Sequence, residues 1–135
     1  MKLLATYLDD QLSRGRWYLI KAEAMKALGQ SSTAFAAAAA RLIRKRRLIC
    51  PKRGFYLIVR PEDRAAGAPD PARWIDPLMR HLGVDYRISL LRAAAFHGAS
   101  HQAAQVFQVI VPKQIRLITI GRQRIQFVYQ TPHVF

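Results

Sequence analysis

The chain has 135 residues, 51% of them hydrophobic, and 22 Lys and Arg against 8 Asp and Glu give a net charge of +14. That length and apolar fraction suit one ordinary domain or two small ones and exclude a disordered tail, while a charge far beyond the needs of solubility asks for a polyanionic partner, nucleic acid first. No apolar run approaches the ~18 residues of a membrane span, Asp9 and Asp10 interrupt Leu3-Leu4-Ala5 too early for a signal peptide, and the lone Cys50 excludes an intramolecular disulfide or a zinc site of several thiolates, so a reducing cytoplasm is expected.

The charge is uneven: residues 1–60 carry 13 basic and 3 acidic side chains, a net +10, and the remainder 9 and 5, a net +4. Because the cations punctuate apolar segments instead of forming a terminal polybasic arm, no membrane partner is expected. Leu3, Leu4, Tyr7, Leu8 and Leu12 recur at helical spacing, with Ser13-Arg14-Gly15 as the stop. Trp17-Tyr18-Leu19-Ile20 is too short for a helix and reads as a strand. Lys21 to Leu28 gives a short helix with Ala22, Met25 and Leu28 inward, closed by Gly29 in the left-handed conformation.

Gln30-Ser31-Ser32 forms a turn in which either serine can cap a third helix, Thr33 to about Arg46. On a wheel of about 100° per residue, Phe35, Ala38, Ala39, Leu42 and Ile43 share the packing face, and Thr33, Ala37, Ala40 and Arg44 the free one, flanked by Arg41 and Arg47. Two helices across a Gly-containing turn are the helix-turn-helix pattern. Leu48-Ile49-Cys50, Pro51-Lys52-Arg53-Gly54 and Phe55 to Val59 then read as a β-hairpin, a wing behind a recognition helix. Candidate DNA contacts are therefore Ser31, Ser32, Thr33, Ala37, Arg41, Arg44 and Arg47 on the helix, and Lys52 and Arg53 at the hairpin tip. Alanine offers a base little beyond contact with a thymine methyl, so base reading leans on Ser32, Thr33, Arg41 and Arg44, while the tip cations position the protein on phosphates. The same arginines would also suit a helix C-terminus electrostatically, and the run Ala36 to Ala40 is equally a strong helix former.

Pro61 to Ala72, with Pro61, Gly67, Pro69 and Pro71, reads as a linker. Beyond it, Trp74 to Leu82 and Ser89 to Phe96 are helix candidates, the second closed by Gly98, and Gln105 to Val111, Arg116 to Ile120 and Arg124 to Tyr129 are strand candidates. Trp17, Trp74 and Phe96 are expected in the core. His97 and His101 have a metal-binding spacing, but no third ligand accompanies them and Gly98 weakens the helix, so His97 and Ser100 are expected instead to tie down the loop before the first strand by hydrogen bonds. Glu62, Asp63, Asp70, Asp76 and Asp85 fall mostly in loops, and a phosphate-binding Gly-rich loop or an activated nucleophile is missing, so no catalytic residue, cofactor or metal is expected.

The chain resembles the AbiEi-type antitoxins, transcriptional autorepressors of type IV toxin–antitoxin systems linked to abortive infection. The resemblance rests on Leu42-Ile43-Arg44-Lys45-Arg46-Arg47-Leu48, Arg53-Gly54-Phe55-Tyr56, Gly67-Ala68-Pro69 with Trp74-Ile75-Asp76-Pro77-Leu78-Met79, and above all Ala94-Ala95-Phe96-His97-Gly98-Ala99-Ser100-His101-Gln102 leading into Val106-Phe107-Gln108-Val109. It implies an N-terminal winged helix on inverted repeats in the promoter, and a C-terminal domain that antagonises a nucleotidyltransferase-like toxin without requiring a stable complex. Members of that family usually continue past the strand that here ends near Tyr129, so the second unit is expected to be a shortened version.

The expected fold is α+β: a winged helix-turn-helix over 1–60, a linker over 61–72, and a small α/β unit of two helices and about three strands over 73–135. The expected function is a sequence-specific DNA-binding repressor that autoregulates its operon as an antitoxin, with double-stranded DNA as partner and self-association through the C-terminal unit. An RNA-binding or protein-interaction module without promoter specificity is the alternative.

Overall fold

A computed structural model describes residues 3–88 and 105–131. Among them the chain is mixed α+β, with four α-helices and two small sheets. Helix α1 (Leu4–Ser13), strand β1 (Tyr18–Ile20), α2 (Lys21–Leu28), α3 (Ser32–Arg44), β2 (Leu48–Lys52) and β3 (Phe55–Ile58) follow in order. β3 pairs antiparallel with β1 on one side and β2 on the other. Pro51 falls where the β2–β3 register shifts between Ile49 and Lys52, a place where its missing N–H costs no ladder bond.

Side chains alternate across a strand, and here both faces of the small sheet are buried. Leu19, Leu48, Ile58 and Tyr56 face the three helices, packing with Leu4, Leu8, Ala24, Phe35, Ala39 and Leu42. Tyr18, Ile20, Ile49, Phe55 and Leu57 face the opposite way, into the core of the second half. Phe55 and Leu57 are both 0% exposed, and burying the pair is worth on the order of 3–6 kcal/mol. The continuous apolar run Phe55-Tyr56-Leu57-Ile58 is what a strand in the middle layer requires.

The segment 61–72 reads from sequence as a linker and folds into 3-10 turns at Pro61–Asp63 and Pro71–Arg73, with Asp63, Ala68 and Pro71 buried. Asp63 accepts from the Arg60 backbone N–H (3.1 Å) and from its guanidinium at 2.9 and 3.1 Å, which neutralises the buried carboxylate. Trp74, 0% exposed, donates its indole N–H to the Pro69 carbonyl at 2.9 Å. Helix α4 (Ile75–Leu82) places Ile75, Leu78 and Met79 on the shared core and ends at Gly83. Strands β4 (Arg87–Ile88), β5 (Gln105–Val111), β6 (Ile118–Ile120) and β7 (Gln123–Tyr129) form a second sheet in the order β4-β5-β7-β6, with β5 and β7 parallel. Phe107, Val109, Val111, Ile118, Ile120 and Ile125 supply its core face.

Three expectations change. In α2 the buried residue is Ala24, and Ala22 is exposed: the helix packs against α3 and β1, and 8 residues, little more than about two turns, are too few to reveal its phase. In α3, Ile43 is 42% exposed: it lies at the margin of the apolar stripe, one residue from the helix end, while Phe35, Ala39 and Leu42 bury. Trp17 is half-buried and outside the core, stacked against the guanidinium groups of Arg60 (3.4 Å to the ring centroid) and Arg73 (4.1 Å). The strand Arg87–Ile88 has no counterpart in the sequence reading, since two residues carry no period. The expected helix Ser89 to Phe96, His97 and His101 lie outside the described residues.

Candidate nucleic-acid interface

Helix α3 begins where Ser31, in extended backbone, accepts the Ala34 N–H at 3.1 Å. That cap and the alanine run set a regular helix whose exposed side carries Ser32, Thr33, Ala37, Ala40, Arg41 and Arg44. α3 contains no acidic residue. Its far end closes by paired hydrogen bonds, Arg46 N–H to the Ile43 carbonyl (3.0 Å) and Arg47 N–H to the Leu42 carbonyl (2.9 Å). Arg46 takes the left-handed position usual for glycine, with φ 59°. Arg41 and Lys45 line a groove of ≈ 420 Å³ between α3 and Leu3, Leu4 and Ala5.

Arg47 stands apart from this face: it pairs with Asp9 of α1 at 3.0 Å. The hairpin turn is tighter than the sequence suggests, because β2 runs through Lys52 and only Arg53 and Gly54 (φ 80°) lie between the strands. Arg53 is exposed at the tip. Lys52 is half-buried and lines a separate cleft with Leu82, Val84, Lys113 and Arg116. Ser31, Ser32, Thr33, Ala37, Arg41 and Arg44 thus share one helix, with Arg53 on the adjoining turn, whereas Arg47 and Lys52 point to other surroundings.

The turn is held from two sides. Its Gly54 carbonyl accepts the Lys21 N–H at 2.9 Å, and its Arg53 carbonyl accepts the His81 Nε2–H at 3.2 Å, the His81 ring also lying 5.7 Å from that of Phe55. Lys21, Lys26 and His81 border this turn and escaped the sequence reading. The lysines stand five residues apart in a helix that also carries Glu23, and His81 lies 28 residues beyond its partner, so only the fold brings them together.

The described residues thus present one helix side without a carboxylate, α3, beside a turn that carries Arg53. Residues 87–133 match the family model described as the AbiEi antitoxin C-terminal domain, which supports an AbiEi-type antitoxin and bears out the resemblance read from the sequence. The match spans the C-terminal third of the chain and points to the antitoxin side of a toxin–antitoxin system, a regulatory and not a catalytic family. No curated protein and no solved structure matches the chain. Among the described residues no three His, Cys, Asp or Glu gather as a metal site, and no helix is long and apolar enough to cross a membrane.

Proposed function

We propose that the chain is a sequence-specific DNA-binding repressor, a non-enzymatic antitoxin that controls its own toxin–antitoxin operon. The observation that carries this is the exposed face of α3, where Ser32, Thr33, Ala37, Arg41 and Arg44 stand with no carboxylate on the helix. The order α1-β1-α2-α3-β2-β3, with β3 between β1 and β2, supports reading residues 1–60 as a winged helix-turn-helix, α3 as the recognition helix and the β2–β3 hairpin as the wing. Small side chains let the α3 backbone approach the floor of a major groove. Arg44 and Arg41 then reach base edges, and Arg53 and its neighbours hold phosphates. Two copies on an inverted repeat, associating through their C-terminal units, account for repression of a palindromic promoter; antagonism of the toxin belongs to the C-terminal domain.

The test is a binding titration on the promoter of the chain's own operon against random duplex and structured RNA of equal length, across salt. If about six phosphates are neutralised per copy, log K falls against log salt with a slope near −5. Arg44→Ala is expected to cost about 1–3 kcal/mol on promoter DNA and less on random DNA. Equal affinity for promoter and random duplex, or a preference for the RNA, would overturn the repressor reading.

A further inference from the structure

An open cleft of ≈ 660 Å³ lies between α2, the start of α3 and α4, with Lys21, Lys26, Gln30, Ser32, Gly54 and His81 on its walls. It adjoins both elements assigned to DNA above, through Ser32 and through the hairpin turn. Neither lysine is in an ion pair among the described residues, and no carboxylate lines the cleft. Ile20 and Met25 form an apolar floor. The Gln30 Oε1 is buried with no hydrogen-bond partner among the described residues, and a half-turn of that amide presents its NH2 instead. The walls are fixed to one another, because both carbonyls of the turn are used, Gly54 by Lys21 of α2 and Arg53 by His81 of α4.

Building on the DNA-binding reading, we propose that this cleft receives one phosphate and its sugar from the duplex backbone, with Lys21 and Lys26 as the cations that meet the phosphate and His81 as a positioning residue that fixes the hairpin turn. Two cations outside any ion pair among the described residues, Lys21 with its Nζ 6.0 Å from the Phe35 ring centroid, match over an apolar floor a phosphate followed by a deoxyribose, and a backbone already braced by three elements leaves only side chains to order on binding. Helix α4, from the second half of the chain, thereby belongs to the DNA-binding face. The C-terminal half contributes to promoter affinity directly, besides any contact between copies.

The full chain decides this in titrations on promoter and random duplex. Lys21→Ala with Lys26→Ala is expected to make the salt slope shallower by about one unit and to weaken both duplexes by the same factor. His81→Ala is expected to weaken binding at an unchanged salt slope, and His81→Gln, which keeps an N–H for the Arg53 carbonyl, to recover it. Ethylation of a single phosphate should hinder the wild type and leave the double lysine variant indifferent. A wild type that binds duplex while the lysine variant keeps its slope and affinity overturns this site alone; a wild type that binds no duplex removes the DNA reading and the site together. Inorganic phosphate that displaces duplex from the wild type at constant ionic strength, but not from the lysine variant, would make the ligand a free anion and overturn the duplex assignment.

Discussion

Arg46 ends α3 with φ 59°, a conformation that costs an L-residue about 1–2 kcal/mol over glycine, part of which glycine returns through its greater freedom when unfolded. Arg46→Gly is therefore expected to stabilise the fold by about 0.5–1 kcal/mol, read as a higher melting temperature; no change or a fall would show that the arginine side chain offsets its own strain. Cys50 is exposed as a residue, and its thiol donates to the Lys52 carbonyl at 3.0 Å. Burial raises its pKa above the ordinary 9.0, and burial with the neighbouring Cys50 raises that of Tyr56 above 10.0. Both groups hold their protons more tightly folded than unfolded. Their stabilising contribution is complete below the unfolded values and is lost as pH rises through the folded ones. Denaturation midpoints are expected to fall as pH climbs past 9, and Cys50 to be alkylated at pH 8 more slowly than in the unfolded chain.

Between elements, a close backbone approach joins the 61–72 segment to the β6–β7 turn. Both contacting residues are glycines, with φ 86° at Gly67 and 54° at Gly121, and the Arg122 N–H donates to the Ala66 carbonyl at 3.0 Å. A Cβ on Gly67 would come within 2.5 Å of the Gly121 Cα, and one on Gly121 would collide with the Ala66 carbonyl oxygen. Backbone cannot yield as a side-chain tip does. Gly121→Ala is expected to cost about 2–4 kcal/mol, combining the left-handed conformation with the clash. Gly15→Ala shares the positive φ, 74°, but meets nothing within 4 Å, so only the conformational part, about 1 kcal/mol, should remain. Equal losses in the two variants would mean that the segment and the turn separate freely.

At the scale of the molecule, the three-stranded sheet is a middle layer shared by two cores. A chain ending at Arg60 keeps α1 to β3 but leaves Phe55, Leu57, Ile20 and Ile49 without the second-half side chains that cover them, and the Arg53 carbonyl without His81 of α4. The sequence reads residues 1–60 as a winged helix-turn-helix separate from the α/β unit that follows the linker. With the middle layer uncovered, we expect that fragment to melt at least 10 °C below the full chain or to associate through the bare sheet face, since a loss of several kcal/mol is large for a domain of this size. A fragment that stays monomeric, melts with the full chain's midpoint and binds a half-site would show that the helical core suffices.

Much of this was legible in the sequence, for a physical reason: elements set by local rules announce themselves locally. The helix Lys21–Leu28 with its Gly29 stop, the serine cap of α3, the carboxylate-free face from Thr33 to Arg44, and the strand Gln105–Val111 follow from period, capping and backbone freedom within a few residues. The resemblance to the AbiEi-type antitoxins, too, rests on short strings of residues, and the family model matched at residues 87–133 supports it. What only the tertiary structure decided depends on separations no local pattern encodes. Trp17 left the core because Arg60 and Arg73 reached its ring, Arg47 turned to Asp9 across 38 residues, and His81 met the hairpin turn across 28. The two-sided burial of β3 was written as Phe-Tyr-Leu-Ile, but an apolar run states only that both faces are covered. Which layers cover them is settled by packing, because hydrophobic burial has no direction of its own until the whole chain is in place.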